Sequence, residues 1–259
     1  MSPTRQDPSL SGRTAVITGA SRNIGAAMAR TFADAGADLL LVARGADRLE
    51  AVADDVRQRS GRRIATVSAD LSQPAGVEKV IAATQSEFGA IDVLVNNAYG
   101  GGGPGTPLLE NGWEVWENEI ALSIRAPFRL MQALAPGMIA GRGGSVINLL
   151  TAAQFVVTPT LGPYAAAKSA LWTMTRYLAV EYAPKVRFNC ISPGTTQEDE
   201  TAWAEQYAKV LPGVPLRRLA DPAETAAAAL FLASDASSYI TGQVINVDGG
   251  RVAAATVRV

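Results

Sequence analysis

Histidine is absent from this sequence and cysteine occurs once, as Cys190. Without histidine, a Ser-His-Asp triad, imidazole acid–base catalysis and His-ligated zinc or iron are excluded. A single cysteine excludes an intrachain disulfide, a CxxC redox pair and a thiolate cluster for zinc or iron–sulfur. It also suits a reducing compartment. No charge of one sign dominates: 23 Lys and Arg against 24 Asp and Glu leave a net charge of −1. That balance lacks the basic footprint with which nucleic-acid binders neutralise phosphates. Met1 to Gly12 has no apolar signal core and contains Pro3 and Pro8. The longest charge-free run, Gly143 to Ala167, is interrupted by Asn148, Gln154, Pro159 and Pro163. It reads as a strand, a loop and a helix start, not as a membrane span. The expectation is a cytoplasmic protein with a small-molecule substrate, no nucleic acid, no membrane and no metal. Its chemistry must use Tyr, Lys, Ser/Thr, carboxylates or a borrowed cofactor.

What is present is a regular alternation. Short β-branched runs suit buried strands at Thr14–Thr18, Leu39–Ala43, Ile64–Ser68, Ile91–Val95, Ser145–Leu149, Val186–Ile191 and Gln243–Val247. Near-continuous Val/Ile/Leu without polar alternation is the pattern of parallel strands covered on both faces. Ala-rich helical stretches lie between them near 23–35, 46–59, 74–87, 113–140, 163–183 and 221–233. The last opens on Asp221-Pro222-Ala223-Glu224, an N-cap, a first-turn proline and a capping-box glutamate. Strand and helix repeated in this way predict a doubly wound α/β sheet with right-handed crossovers. No linker divides the chain, so one domain over 1–259 is expected, with a flexible 1–11 and an insertion at 195–215. That insertion carries Glu198, Asp199, Glu200, Trp203 and Tyr207. It reads as a lid over the carboxyl ends of the strands, where such sheets bind ligands, or, more plainly, as a solvated helical excursion.

Strand one runs into Thr18-Gly19-Ala20-Ser21-Arg22-Asn23-Ile24-Gly25, followed by a helix. A glycine turn there lets backbone N–H groups and a helix N-terminus face a pyrophosphate. A protein preferring NAD shows an acid at the end of the second strand to hold the ribose 2′-hydroxyl. Here that strand ends Val42-Ala43-Arg44. Arg44 with Arg22 instead suits a 2′-phosphate, since guanidinium binds phosphate bidentately. NADP(H) is therefore expected over NAD(H); the plainer alternative is two surface arginines, Arg44 paired with Asp47. Tyr164 and Lys168, four apart, share a helix face. An ammonium beside a phenol favours the phenolate and should lower a pKa that is ordinarily about 10.

These residues, in this order, resemble the short-chain dehydrogenase/reductase family over essentially the whole chain. The matches are the Thr18–Gly25 turn, Asp70-Leu71, Asn96-Asn97-Ala98, Tyr164-x3-Lys168, Pro193-Gly194, Thr241-Gly242-Gln243 and Val247-Asp248-Gly249-Gly250. The resemblance implies a Rossmann-like three-layer sandwich around a seven-stranded parallel sheet, and a homotetramer or dimer. It assigns Asp70 and Leu71 to the adenine and Asn97 and Ala98 to the cofactor ribose side. The segment from Pro193 and Gly194 through Thr195 and Thr196 goes to the nicotinamide. Lys168 would bond the nicotinamide ribose and tune Tyr164.

Four positions depart from the family pattern. Asn23 replaces a glycine, and asparagine is the non-glycine residue best suited to left-handed geometry. Tyr99 replaces the glycine after Asn-Asn-Ala and places a ring at the cofactor's edge, opening the run Gly100–Gly103. The catalytic serine is Thr151, whose hydroxyl makes the same hydrogen bond to a carbonyl oxygen. The catalytic asparagine of helix 113–140 falls on Ser123, counted from Trp116 and back from Ala126-Pro127-Phe128; Asn118 lies too far around the helix to stand in.

Trp113 and Trp116 read as core or interface packing, and Cys190 as a small buried hydrophobe. Phe155, Val156 and Val157 read as the wall of an apolar substrate pocket, and Arg217-Arg218 as a surface pair. The function implied is an NADP(H)-dependent interconversion of a ketone and a secondary alcohol. A cyclase, dehydratase or epimerase on the same scaffold is the alternative, and a dinucleotide-binding regulatory protein the third.

Overall fold

The computed structural model describes residues 8–100, 105–197 and 210–255. Seven parallel strands form one sheet: β1 (Thr14–Thr18), β2 (Asp38–Ala43), β3 (Ile64–Ser68), β4 (Val93–Asn96), β5 (Gly144–Leu149), β6 (Val186–Pro193) and β7 (Val244–Val247). Their order is β3-β2-β1-β4-β5-β6-β7. The chain winds outward from β1 to β3, then returns to lay β4 against the other side of β1. The crevice at that reversal, outside the carboxyl ends of β1 and β4, is where such sheets bind ligands.

Alternate strand residues face opposite layers. Ala15, Ile17, Leu39 and Leu41 pack with Met28 and Phe32 of α1 (Asn23–Asp34) and Ala226 and Ala229 of α7 (Pro222–Ala233). Val16, Leu40, Val42 and Phe188 pack on the other face. Their partners are Val80 of α3 (Pro74–Phe88) and Leu130 and Met131 of α5 (Ala126–Ala140). Burial on both faces explains why the strands read as unbroken apolar runs. The remaining helices are α2 (Ala46–Ser60), α4 (Trp113–Ile120), α6 (Gly162–Glu181) and the short α8 (Arg251–Ala255). The N-terminus of α7 carries the expected capping box: Asp221 accepts from Ala223 N at 2.8 Å, and Glu224 accepts from Asp221 N at 2.8 Å.

The structure departs from the sequence reading in two places. The stretch 113–140 is not one helix but α4, a π-helical turn over Ala121–Arg125, and α5. Pro127 supplies the reason. It has no N–H to donate to the Ser123 carbonyl and its ring crowds that oxygen, so the helix widens just before it. Leu10, within the stretch expected to be flexible, is fully buried and its N–H donates to Ala35 O at 2.8 Å. Of the two readings for Trp113, core or interface packing, its 70% exposure leaves the interface. Among the described residues, no helix is long and apolar enough to cross a membrane. No group of side chains there could hold a metal ion.

Candidate active site

The turn after β1 is built by the end of β4. Asn97 Nδ2 donates to the carbonyls of Thr18 at 2.9 Å and Gly19 at 3.1 Å. Thr18 Oγ1 accepts from the N–H groups of Asn97 at 2.9 Å and Ala98 at 3.1 Å. Asn97 thus holds the glycine turn in shape, a role the sequence pattern did not suggest. Gly19 has φ +69° and Asn23 φ +47°, so Asn23 adopts the left-handed geometry expected of it. A Cβ on Gly25 would collide with the Gly19 carbonyl oxygen, so only glycine lets the helix start this close to the strand.

The N-terminus of α1 has no side-chain cap and no acidic residue in its first turn. Its first N–H groups and its positive dipole end therefore face the crevice beside Ser21, Arg22, Asn23 and Ile24. This is the donor set a pyrophosphate requires. Arg22 and Arg44 are both exposed, and Ala20 N donates to Val42 O at 3.0 Å, tying the turn to the end of β2. Neither arginine forms an ion pair among the described residues, and Asp47 does not engage Arg44. By contrast Arg57, Arg129 and Arg142 are all paired.

At the third strand, Asp70 accepts from Ser72 N at 2.9 Å and Leu71 is buried, so this pair shapes the turn into α3 at the same sheet edge. After β6, Gly194 lies against the turn that follows β7: a Cβ there would sit 2.7 Å from Asp248 Cα. Thr195 and Thr196 pair with Ala220, through Ala220 N to Thr195 O at 3.0 Å and a bridge at Thr196. The Oγ of Ser192, buried beside Pro193, has no hydrogen-bond partner among the described residues. These features fit a dinucleotide laid across the strand ends, with its diphosphate on α1. The expected lid residues Glu198, Asp199, Glu200, Trp203 and Tyr207 lie outside the described residues, as do Gly101–Gly103.

The second half of the site follows β5. Asn96 Nδ2 donates to Asn148 Oδ1 at 2.8 Å, and Asn148 Nδ2 donates to Thr175 Oγ1 at 2.9 Å. This buried polar chain, absent from the sequence reading, locks α6 to the sheet and so sets the position of the tyrosine and lysine on it. Lys168 is 2% exposed, and its Nζ donates to Leu149 O at 2.7 Å and lies 5.8 Å from the centre of the Tyr164 ring. Thr151 caps the turn Ala152–Gln154 by accepting from Ala153 N at 3.2 Å, and its side chain hydrogen-bonds with Tyr164. Thr151, Tyr164 and Lys168 therefore meet at one point.

Electrostatics there differ from the simple expectation. Burial pushes the Tyr164 phenol up, with Tyr99 and the Glu119 carboxylate adding to the rise and the Thr151 hydrogen bond opposing it. Burial also pulls Lys168 down to about 8, against Glu119 and Cys190. The lowering of Tyr164 expected from its ammonium neighbour does not appear; desolvation of the phenolate is the largest influence on it. A raised phenol stays protonated near neutrality, ready to donate. Cys190 is buried, donates to Thr175 Oγ1 at 3.3 Å, and has its thiol pushed up to about 12 by burial. It is an inert packing residue.

Two further side chains complete this cluster, Tyr99, expected at the cofactor's edge, and Glu119, which the sequence did not single out. Glu119 of α4 is 1% exposed and acts on both Tyr164 and Lys168. Tyr99 lies against Tyr164, ring centres 6.3 Å apart. Ser123, in the π-helical turn packed on α6, is fully buried, and its hydroxyl has no hydrogen-bond partner among the described residues. Glu119 precedes Ser123 by one helical turn, the only signal in the sequence that it shares that face. Of the expected apolar wall, Val156 lines a cavity, Phe155 packs edge-on against Trp172 at 5.5 Å, and Val157 is 91% exposed.

A family model described as Enoyl-(Acyl carrier protein) reductase matches residues 19–251. An uncharacterized oxidoreductase of Mycobacterium tuberculosis is 39% identical over 246 residues, covering 93% of this chain and 92% of that protein. The 3-oxoacyl-(acyl-carrier-protein) reductase of Chlamydia trachomatis is 36% identical, covering 93% of this chain and 98% of its own. Among solved structures, L-sorbose reductase from Gluconobacter frateurii, complexed with NADPH and L-sorbose, superposes with a TM-score of 0.87. It is 34% identical and covers 95% of this chain and 98% of that one.

Proposed function

The chain belongs to the short-chain dehydrogenase/reductase family of NAD(P)-dependent oxidoreductases, and we propose that it interconverts a ketone and a secondary alcohol with NADP(H). The observation that carries this reading is the convergence of Thr151, Tyr164 and Lys168 beyond β5.

Pro193 and Gly194 at the end of β6 would hold a nicotinamide, which when bound would supply the hydride chemistry between a carbonyl carbon and an alcohol carbon. The chain's own residues handle the proton. In reduction, the Tyr164 hydroxyl donates its proton to the substrate oxygen; in oxidation it takes that proton back. The Thr151 hydroxyl donates a hydrogen bond to the same oxygen and fixes it within reach of Tyr164. Lys168, anchored by Leu149 O, holds positive charge beside the phenolate as it forms. To restore the Tyr164 hydroxyl, Lys168 passes a proton toward the phenolate and, with no imidazole in the chain, is reprotonated through a water held by the buried hydroxyl of Ser123.

Preference for NADP(H) is supported by Arg22, in the turn after β1, and Arg44, just past β2, both exposed and without ion pairs among the described residues; an acid at the end of β2 would instead suit NAD(H). The exposed apolar side chains of Trp113, Tyr177 and Val180 support association into a homo-oligomer. NADPH oxidation followed across a panel of ketones tests the reading. Consumption of NADPH with formation of the alcohol is expected. Cofactor binding with no ketone reduced at all would turn the assignment toward the non-redox chemistries.

A further inference from the structure

Arg217 and Arg251 flank a cavity of about 630 Å³ whose described lining is otherwise mostly apolar, including Val156, Val210, Pro212 and Pro215, and contains no carboxylate. The cavity adjoins the reacting end of the site. Val156 follows directly on the Thr151 turn, and Leu216 N donates to Gly249 O at 3.2 Å, joining one wall to the turn after β7. That turn packs on Gly194.

The adjacent arginines 217 and 218, which the sequence presents as a surface pair, diverge. Arg218 is spent on Glu224, with two hydrogen bonds of 2.7 Å. Arg217 has φ +55°, a conformation uncommon for a residue with a side chain, and its Nη1 donates to Pro212 O at 3.0 Å on the cavity wall. Backbone strain of this kind persists where surrounding structure imposes it, and it collects at ligand sites. Arg251 is steadied by Thr158, to which its Nη2 donates at 3.3 Å. Neither guanidinium has a carboxylate partner among the described residues, although arginines elsewhere in the chain are commonly paired.

We infer that this cavity binds an anionic head group at the far end of an apolar substrate stem, so that the substrate is an oxo or hydroxy compound bearing a carboxylate or a phosphate. Two guanidiniums lining one mostly apolar cavity offer several N–H donors in planar forks, the geometry that carboxylate and phosphate oxygens accept. Neutral sugars and simple ketones leave those donors without a charged acceptor. The inference rests on the ketone-reducing reading for the position of the carbonyl, but not for the binding of the anion.

Calorimetric titration of the full chain, without cofactor, with octanoate, octyl phosphate and neutral octanamide tests it. At least one anion should bind, and the tighter of the two identifies the head group. Arg217→Gln and Arg251→Gln should each weaken that anion about tenfold or more, the usual effect of losing a charge-assisted hydrogen bond. Arg251→Lys should restore part of the affinity, which a merely unfolded variant could not do. If neither anion binds more tightly than octanamide, or if both glutamine variants bind like wild type, the inference is wrong. Because no turnover is measured, absence of ketone reduction leaves this result standing separately.

Discussion

The Nζ of Lys168 donates a 2.7 Å hydrogen bond to the carbonyl oxygen of Leu149, the last residue of β5. A long cationic side chain from α6 is thereby drawn fully inside the protein at the strand end where Tyr164 and Thr151 meet. Function has placed a charge where stability alone would not.

The cost is visible in its titration. Burial lowers Lys168 from 10.5 to about 8, so between those values the unfolded chain binds more protons than the folded one. Stability contributed at this position therefore rises with pH across that window. The buried ammonium's penalty is fully present below the folded value and on the order of 3 kcal/mol. In thermal melts from about pH 7 to about pH 10, wild type should gain steadily on Lys168→Met. Parallel curves would show that the lysine is not desolvated as described.

Arg44→Asp should weaken NADPH binding by about ten- to a hundredfold while leaving NADH nearly unchanged, since it removes a phosphate-binding guanidinium and adds repulsion. Fluorescence titration with both dinucleotides measures this. Equal effects on the two would mean that Arg44 does not read the 2′-phosphate.

Glu119 raises both the Tyr164 phenol and the Lys168 ammonium. Glu119→Gln should therefore shift the limbs of the kcat/KM pH profile about one unit toward acid, the scale of a nearby buried charge. An unmoved profile with uniformly lower kcat would reduce Glu119 to a packing residue.

Thr151 serves twice, as the cap of the turn at Ala153 and as a partner of Tyr164. Thr151→Ser keeps both hydroxyl roles and should retain most activity. Thr151→Ala should lower kcat by about a hundredfold, the usual effect of removing one donor to a reacting oxygen, and should cost about 1 kcal/mol of stability through the lost cap. Steady-state kinetics and melts of the two variants separate the effects.

Local chemistry made most of the fold legible. The strands announce themselves through unbroken apolar runs, and the Asp221–Glu224 box and the left-handed Asn23 follow from single residue types. The π-helical turn was legible in principle, because Pro127 removes the donor opposite the Ser123 carbonyl, but helical periodicity alone runs through it. Glu119 was not legible. A glutamate in a helix usually marks a solvated face, and only the packing of α4 against α6 turns this one inward. The raised Tyr164 phenol also depends on packing: spacing puts an ammonium nearby, but three-dimensional burial decides which effect wins.

The most direct test of the proposed chemistry pairs NADPH affinity with ketone-dependent NADPH oxidation in Tyr164→Phe. The phenyl ring keeps the packing and removes only the hydroxyl. Turnover should fall by about a hundredfold or more, the range for a lost general acid, with the NADPH dissociation constant unchanged. A variant that reduces ketones at the wild-type rate would contradict the account.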